Sequence, residues 1–192
     1  MYKRQEKHKE RRELNSKLIA LETEANSLEV LLADIEHDEQ IPVLDQIHVE
    51  KGYEKALASA LGDDLTAPLQ QEKTTAFKRY WSRLVGEKSG PELPQEAISL
   101  ASHVKAPSEL NAILMQVGVV ENEEIAEKMR GSLAHGQMLT TMNGGLWRWD
   151  GFVVRGEINN QSSVRLTQAA RLREVSAEVS GCLLYTSDAA DD

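Results

Sequence analysis

Cysteine is almost missing from this sequence of 192 residues, where Cys182 stands alone. Without a second thiol an internal disulfide is excluded, and a structural zinc site built on thiolates lacks ligands, which fits a reducing cytoplasm. Aromatic residues make up only 5% of the chain, and Phe77, Tyr80, Trp81, Trp147, Trp149 and Phe152 lie in its middle, so the packed core is expected there. Long apolar runs are absent too. None approaches the roughly 18 to 20 residues that span a bilayer, and the N-terminal MYKRQEKHKERRE is charged with no apolar segment behind it. Neither secretion nor membrane insertion is indicated. Positive charge is scarce: the net charge of -9 argues against a surface coated for non-specific nucleic-acid binding, though not against a local patch. Finally, no G-x-x-x-x-G-K-S/T loop is present to cradle a nucleotide phosphate. The chain is not expected to be an ATPase, or to carry a catalytic, cofactor or metal site.

What is present is 41% hydrophobic and 28% charged residues, the balance of one moderate core with extended, charged appendages. Leu14, Leu18, Leu21, Ala25, Leu28, Leu32 and Ile35 alternate steps of four and three, the rhythm of a coiled-coil seam. Carried backwards, this frame places Arg11 and Lys7 on the seam, so the first dozen residues form a charged helix with a weak or frayed seam. Pro42 ends this helix, because it lacks an amide donor and crowds the preceding turn. Helix returns at Ser162, with Leu166, Ala169, Leu172, Val175 and Val179 as its apolar positions. Two such seams pair only if the intervening residues bring the chain back antiparallel beside its own incoming helix. The expected organisation is an incoming coiled-coil helix over 1–40, a globular domain over 41–161 and a returning coiled-coil helix over 162–181. The expected fold is mixed α/β (α+β), inserted between two antiparallel coiled-coil helices.

Within the globular stretch, Val43 to Val49 alternates like a short strand, and Tyr53, Ala56, Leu57, Ala60 and Leu61 share a helix face closed by Gly62. Phe77, Tyr80, Trp81 and Leu84 have the spacing of an aromatic helix stripe over 74–85. Leu110, Ile113, Leu114 and Val117 predict a further helix stopped by Gly118, and Glu121 to Arg130 another. Residues 137–141 and 146–149 flank Asn143-Gly144-Gly145 as a hairpin, and Asp150-Gly151 turns the chain into Phe152-Val153-Val154. A small antiparallel meander is expected to close the domain.

The residues VEKGYEKALASALGDDLTAPL (Val49 to Leu69), HVKAPSELNAILMQVGVVE (His103 to Glu121) and GGLWRWDGFV (Gly144 to Val153), set between two heptad stretches, resemble the hinge of bacterial SMC chromosome-segregation proteins, particularly of alphaproteobacterial type. The resemblance covers most of Val43 to Arg173. It implies a non-catalytic homodimerisation hinge joining two SMC arms, in a cytoplasmic, nucleoid-associated complex that condenses and segregates chromosomes. Chromosomal DNA and kleisin-type subunits would be partners of the full-length protein, and ATP with Mg would be used by head domains that this segment lacks. The glycine turn at 143–145 is shorter than the double-glycine interface motif of many hinges. Residues 182–192 have no counterpart in the family and resemble a translated sequencing adaptor, so the chain reads as a fragment beginning within an arm.

The resemblance directs the interface expectation to strand edges and glycine turns: Gly131, Gly136, Gly144, Gly145, Trp147, Trp149 and Gly151, with Gly118, Val119 and Val120 opposite. Strand addition would satisfy exposed backbone groups, and close approach of a partner would explain glycine there. Trp147 and Trp149, two apart on a strand, would share one face as core or as interface anchors. Lys73, Lys78, Arg79 and Arg83, interleaved with Tyr80 and Trp81, form the best candidate DNA contact, although cations flanking an apolar stripe also describe a plain solvated face. Lys3 to Arg12, broken by Glu6 and Glu10, reads as ordinary coiled-coil surface. Asp63 and Asp64 read as helix-capping residues at a turn rather than as acid/base groups. His48, His103 and His135 lack metal-ligand spacing, and Cys182 has no nearby base. A structural coiled-coil adaptor, or a weak DNA-binding module unrelated to chromosomes, is the alternative.

Overall fold

The computed structural model describes residues 2–33, 41–70, 78–84, 90–157 and 160–188. They fall into two compact units, residues 1–36 with 168–192, and residues 37–167.

The first unit is a pair of helices, α1 (Tyr2–Ala33) and the greater part of α5 (Gln161–Asp188). Leu14, Leu18, Ala25, Leu28 and Leu32 are partly shielded and Leu21 is buried, so the steps of four and three mark the covered face of α1. On α5 Val175 is fully buried and Ala169, Leu172 and Val179 are partly shielded, as are Gln168, Ala170, Arg171, Arg173 and Glu174. Ile35 lies outside the described residues. The helix continues past Gly181, and Cys182, three residues beyond Val179, is again half-shielded. Ion pairs flank the seam. Arg171 donates from Nε to Glu24 Oε1 at 2.7 Å and from Nη2 to Glu24 Oε2 at 3.0 Å, while its Nη1 reaches Glu174 at 3.3 Å. Lys17 Nζ lies 3.9 Å from Glu178. The guanidinium's hydrogen bonds hold the Glu24 carboxyl below the usual carboxylate range, and the two glutamates push Arg171 upward.

The second unit is built on a five-stranded sheet of order β2-β4-β5-β6-β7, with β2 Ile98–Ser99, β4 Val117–Val120, β5 Met138–Thr141, β6 Leu146–Arg148 and β7 Val153–Val154. Within this sheet, among the described residues, only β4 and β5 run parallel; the crossover between them carries α4 (Glu123–Met129), whose first turn is capped by Asn122 accepting from the Ile125 amide at 3.0 Å. Strand β4 is buried along its whole length, as a central strand covered on both faces should be. Val117 and Val119 point into the larger core, with Leu57 and Leu61 of α2 (Glu54–Leu61). Val120 points to the other face, where Leu139, Trp147 and Ala126 of α4 form a smaller core. A separate two-stranded ladder pairs β1 (His48–Val49) with β3 (Val104–Lys105).

The hairpin and meander stand where the turn chemistry placed them, and three local expectations are corrected. Val43–Gln46 is a 3-10 turn, leaving only His48–Val49 as strand, because Val43 and Leu44 are both drawn inward rather than alternately. The helix expected from Leu110 to Val117 is reduced to a 3-10 turn and α3 (Asn111–Leu114). Val117 opens β4 instead, since Val-Gly-Val-Val favours a strand. The aromatic helix over 74–85 is not formed by residues 78–84, while 74–77, with Phe77, and 85 lie outside the described residues. Trp81 is in extended backbone, its amide donating to Pro68 O at 2.9 Å and its carbonyl accepting from Gln70 at 2.8 Å. Pairing with residues 68–70 replaces helical hydrogen bonding, and Tyr80 and Leu84 stay exposed.

The first turn of α5 belongs to this unit. Asn160 caps it, accepting from the Ser163 amide at 2.7 Å, and Leu166 lies in the larger core at 2% exposure. Arg165, nearly buried, makes a bidentate pair with Asp45, donating from Nε to Oδ1 at 3.1 Å and from Nη2 to Oδ2 at 3.0 Å, so the two ends of the unit are joined across 120 residues.

Candidate dimerisation surface

Among the described residues the sheet ends in β2 on one side and β7 on the other, each a two-residue strand whose outer backbone groups have no sheet neighbour. Large apolar side chains stand exposed beside both edges: Ile98 and Met115 near β2, Trp149 and Phe152 at the turn between β6 and β7. That turn is tightly made. Gly151, at φ 89°, donates to Arg148 O at 3.0 Å, the Asp150 carboxylate accepts from the Phe152 amide at 3.2 Å, and Arg148 pairs with Asp150. The Arg148 guanidinium lies 5.4 Å from the Phe152 ring centre, and Trp149 leans on His135 at 4.7 Å. Trp149 is held by its amide, which donates to Gln137 O at 3.1 Å. Gln137 is itself buried, binding the carbonyls of Pro91 and Glu92, each at 3.0 Å. The exposed aromatics therefore sit on a rigid support.

The ten residues expected at an interface separate into two groups. Gly131, Gly136, Trp149 and Gly151 face outward. Gly118, Val119, Val120, Gly144, Gly145 and Trp147 are buried within the chain itself. Strand β4 offers no edge, being paired with β2 and β5. Close approach does require glycine at two of these positions, but the approaching atoms are the chain's own. A Cβ on Gly118 would lie 2.7 Å from that of Ala97 and 2.9 Å from Leu139 Cδ2, and one on Gly145 would meet the Trp147 ring at 2.8 Å. Trp147 and Trp149 do not share an environment: Trp147 is fully buried, whereas Trp149 lies just past the last residue of β6 and is 43% exposed.

Trp147 is core with its polar end satisfied. Its indole Nε1 donates to Glu127 Oε2 at 3.0 Å, and the same carboxylate receives Arg155 at 2.9 Å and Arg130 at 3.1 Å. The indole, then Arg130 and Arg155, hold Glu127 below the ordinary carboxylate range against an opposing effect of burial. This carboxylate fastens α4 to the sheet and to the chain leaving β7.

Of the basic cluster, Lys78, Arg79 and Arg83 are exposed and Lys73 lies outside the described residues. Arg79 donates to Thr66 Oγ1 at 2.6 Å, in the 3-10 turn that also carries the exposed Asp63 and Asp64. His103 stacks on Tyr53 at 4.0 Å and its Nδ1 lies 2.6 Å from Glu50 Oε2. Among the described residues no group of three or more His, Cys, Asp or Glu is placed to hold a metal ion. Ile98 and Met115 were not singled out from sequence, and Phe152, expected with the core aromatics and at the head of Phe152-Val153-Val154, is instead 51% exposed at the turn before β7.

A family profile described as the SMC proteins flexible hinge domain matches residues 38–130. The Chromosome partition protein Smc of Rhodopseudomonas palustris is 37% identical over 163 residues, 85% of this chain and 14% of that protein. The protein of the same name from Cereibacter sphaeroides is 37% identical over 142 residues, 73% of this chain and 12% of its own length. The chain thus spans under a sixth of these curated relatives. A crystal structure of an asymmetric dimer of the Geobacillus stearothermophilus SMC hinge domain superposes with a TM-score of 0.70, covering 95% of this chain and 91% of that one at 15% identity, a likeness of fold.

Proposed function

The chain belongs to the SMC family, of which it carries the flexible hinge domain, and on that premise we propose that it works by homodimerisation, joining two SMC arms in a protein that partitions chromosomes. The observation that carries this is the open sheet edge at β7 flanked by the exposed, rigidly mounted Trp149 and Phe152. Strand addition there would satisfy the free backbone groups of β7, and two aromatic anchors on a fixed turn are the kind of residues that dominate interface energetics. The exposed Ile98 and Met115 beside β2 offer a second edge of the same character. The segment itself needs no cofactor for this role. ATP hydrolysis with Mg, kleisin-type subunits, chromosomal DNA and a nucleoid location in the cytoplasm belong to the full-length protein. Sedimentation equilibrium at tens of micromolar tests the reading. The chain should be dimeric, and Trp149→Ala with Phe152→Asp should give a folded monomer with unchanged circular dichroism. A monomeric parent chain overturns the proposal.

A second, subsidiary reading is weak DNA contact through Lys78, Arg79 and Arg83, with Lys73, favoured by the exposure of the first three. Its mark is affinity for single-stranded DNA that falls steeply with salt. Charge reversal at these positions that leaves low-salt binding unchanged reduces the patch to plain surface.

A further inference from the structure

We propose that the helix pair carries a charge-coded register lock, in which Lys17, Glu24, Arg171 and Glu178 together select one alignment of the two helices and reject both neighbouring ones. The apolar seam makes only part of that selection. A slip of seven residues keeps leucine at 14, 21 and 28 on α1 and sets Val179 in place of Leu172 on α5, but it also sets Leu18 or Leu32 in place of Ala25 and Gln168 or Cys182 in place of Val175, so the charges add to a seam that is only partly repetitive. The charges behave differently. Lys17 meets Glu178 and Glu24 meets Arg171; in both pairs the residue numbers sum to 195, and the pairs sit one heptad apart with opposite polarity.

The reversed polarity is what rejects the slips. Sliding seven residues one way brings Glu24 against Glu178, and sliding seven the other way brings Lys17 against Arg171. Each slip destroys two attractions and creates a repulsion, whereas two pairs of equal polarity would have recreated an attraction. Arg171 is the fixed point of the device, because Glu174 holds its guanidinium from the same helix while both nitrogens facing α1 engage Glu24.

The lock makes a directional prediction. Glu178→Lys removes one native attraction and turns the first slip into a Glu24 to lysine attraction, while the second slip stays repulsive. Lys17→Glu does the reverse, making only the second slip attractive against Arg171. Spin labels on Ser27→Cys and Ala177→Cys, with Cys182→Ser, report the alignment; labelled chains are diluted into unlabelled protein so that only distances within one chain are read. In the native alignment Ser27 lies nine residues along the axis from Ala177. The first slip shortens this axial offset by about 10 Å and the second lengthens it by about 10 Å. The parent chain is expected to give one distance, Glu178→Lys an added shorter population, and Lys17→Glu an added longer one. Shifts in the same direction for both variants, no shift in either, or broad long distances from parted helices would each overturn the lock.

Discussion

Removing Asp45 should cost the hinge more than removing Arg165, although the two form one ion pair. The Arg165 side chain is 10% exposed and that of Asp45 is 32% exposed, so the losses leave different groups behind. Asp45→Ala strands a guanidinium that water reaches poorly, and breaking a buried pair in this way costs about 3 kcal/mol, the low end of the measured range because the partner is partly solvated. Arg165→Met keeps the apolar stem packed beside Leu166 and leaves a carboxylate that rehydrates, for a cost of about 1 kcal/mol. The double variant should resemble Arg165→Met, giving a coupling of about 3 kcal/mol in the cycle. Urea unfolding followed by tryptophan fluorescence at one fixed protein concentration measures this, the concentration being held because association adds to apparent stability. The reasoning fails if Asp45→Ala costs no more than Arg165→Met, or if the double variant loses the sum of the two.

Glu127 gives a pH test. Its folded carboxyl titrates below its ordinary value of 4.5, so its contribution is complete above that value and is lost as pH falls through the lower folded value. Thermal unfolding below about pH 4.5 should therefore decline more steeply for the parent than for Glu127→Gln, and parallel curves would contradict the assignment. Gly118→Val should destabilise by about 1 to 3 kcal/mol through overpacking against Ala97 and Leu139, without changing the dimer constant of whatever protein folds. A selective loss of dimer with normal monomer stability would return Gly118 to the interface.

The elements most legible in the sequence were those whose signal is local. Asn143-Gly144-Gly145 and Asp150-Gly151 fix turns by backbone chemistry alone, and the meander follows from them. Heptad spacing likewise marked the covered face of α1 and the buried Val175 of α5. Periodicity succeeded at Leu110, Leu114 and Val117 in a narrower sense, naming three buried residues without distinguishing a helix from a turn running into a strand. Around Trp81 it failed, because the backbone there pairs with residues 68–70, a contact that no pattern within 74–85 encodes. The interface expectation mixed two uses of glycine. Gly118 and Gly145 yield to the chain's own side chains, and nothing in a single sequence separates that from yielding to a partner. Edge position was hidden for the same reason, since strand order depends on pairings between residues far apart in the chain.

The burial of Leu166 beside Val43 and Leu57 bears on how the protein is born. A chain that leaves the ribosome in order has all of the sheet in hand before the residue that plugs the larger core arrives, and the guanidinium that meets Asp45 arrives only one residue earlier. Until then the first-made residues of the domain wait with an open apolar surface, a long-range closure of the sort that slows folding. A ribosome that pauses shortly before Arg165 would hold a nascent domain in its most adhesive form, so the opening turn of the returning helix acts as the clasp that ends this exposure.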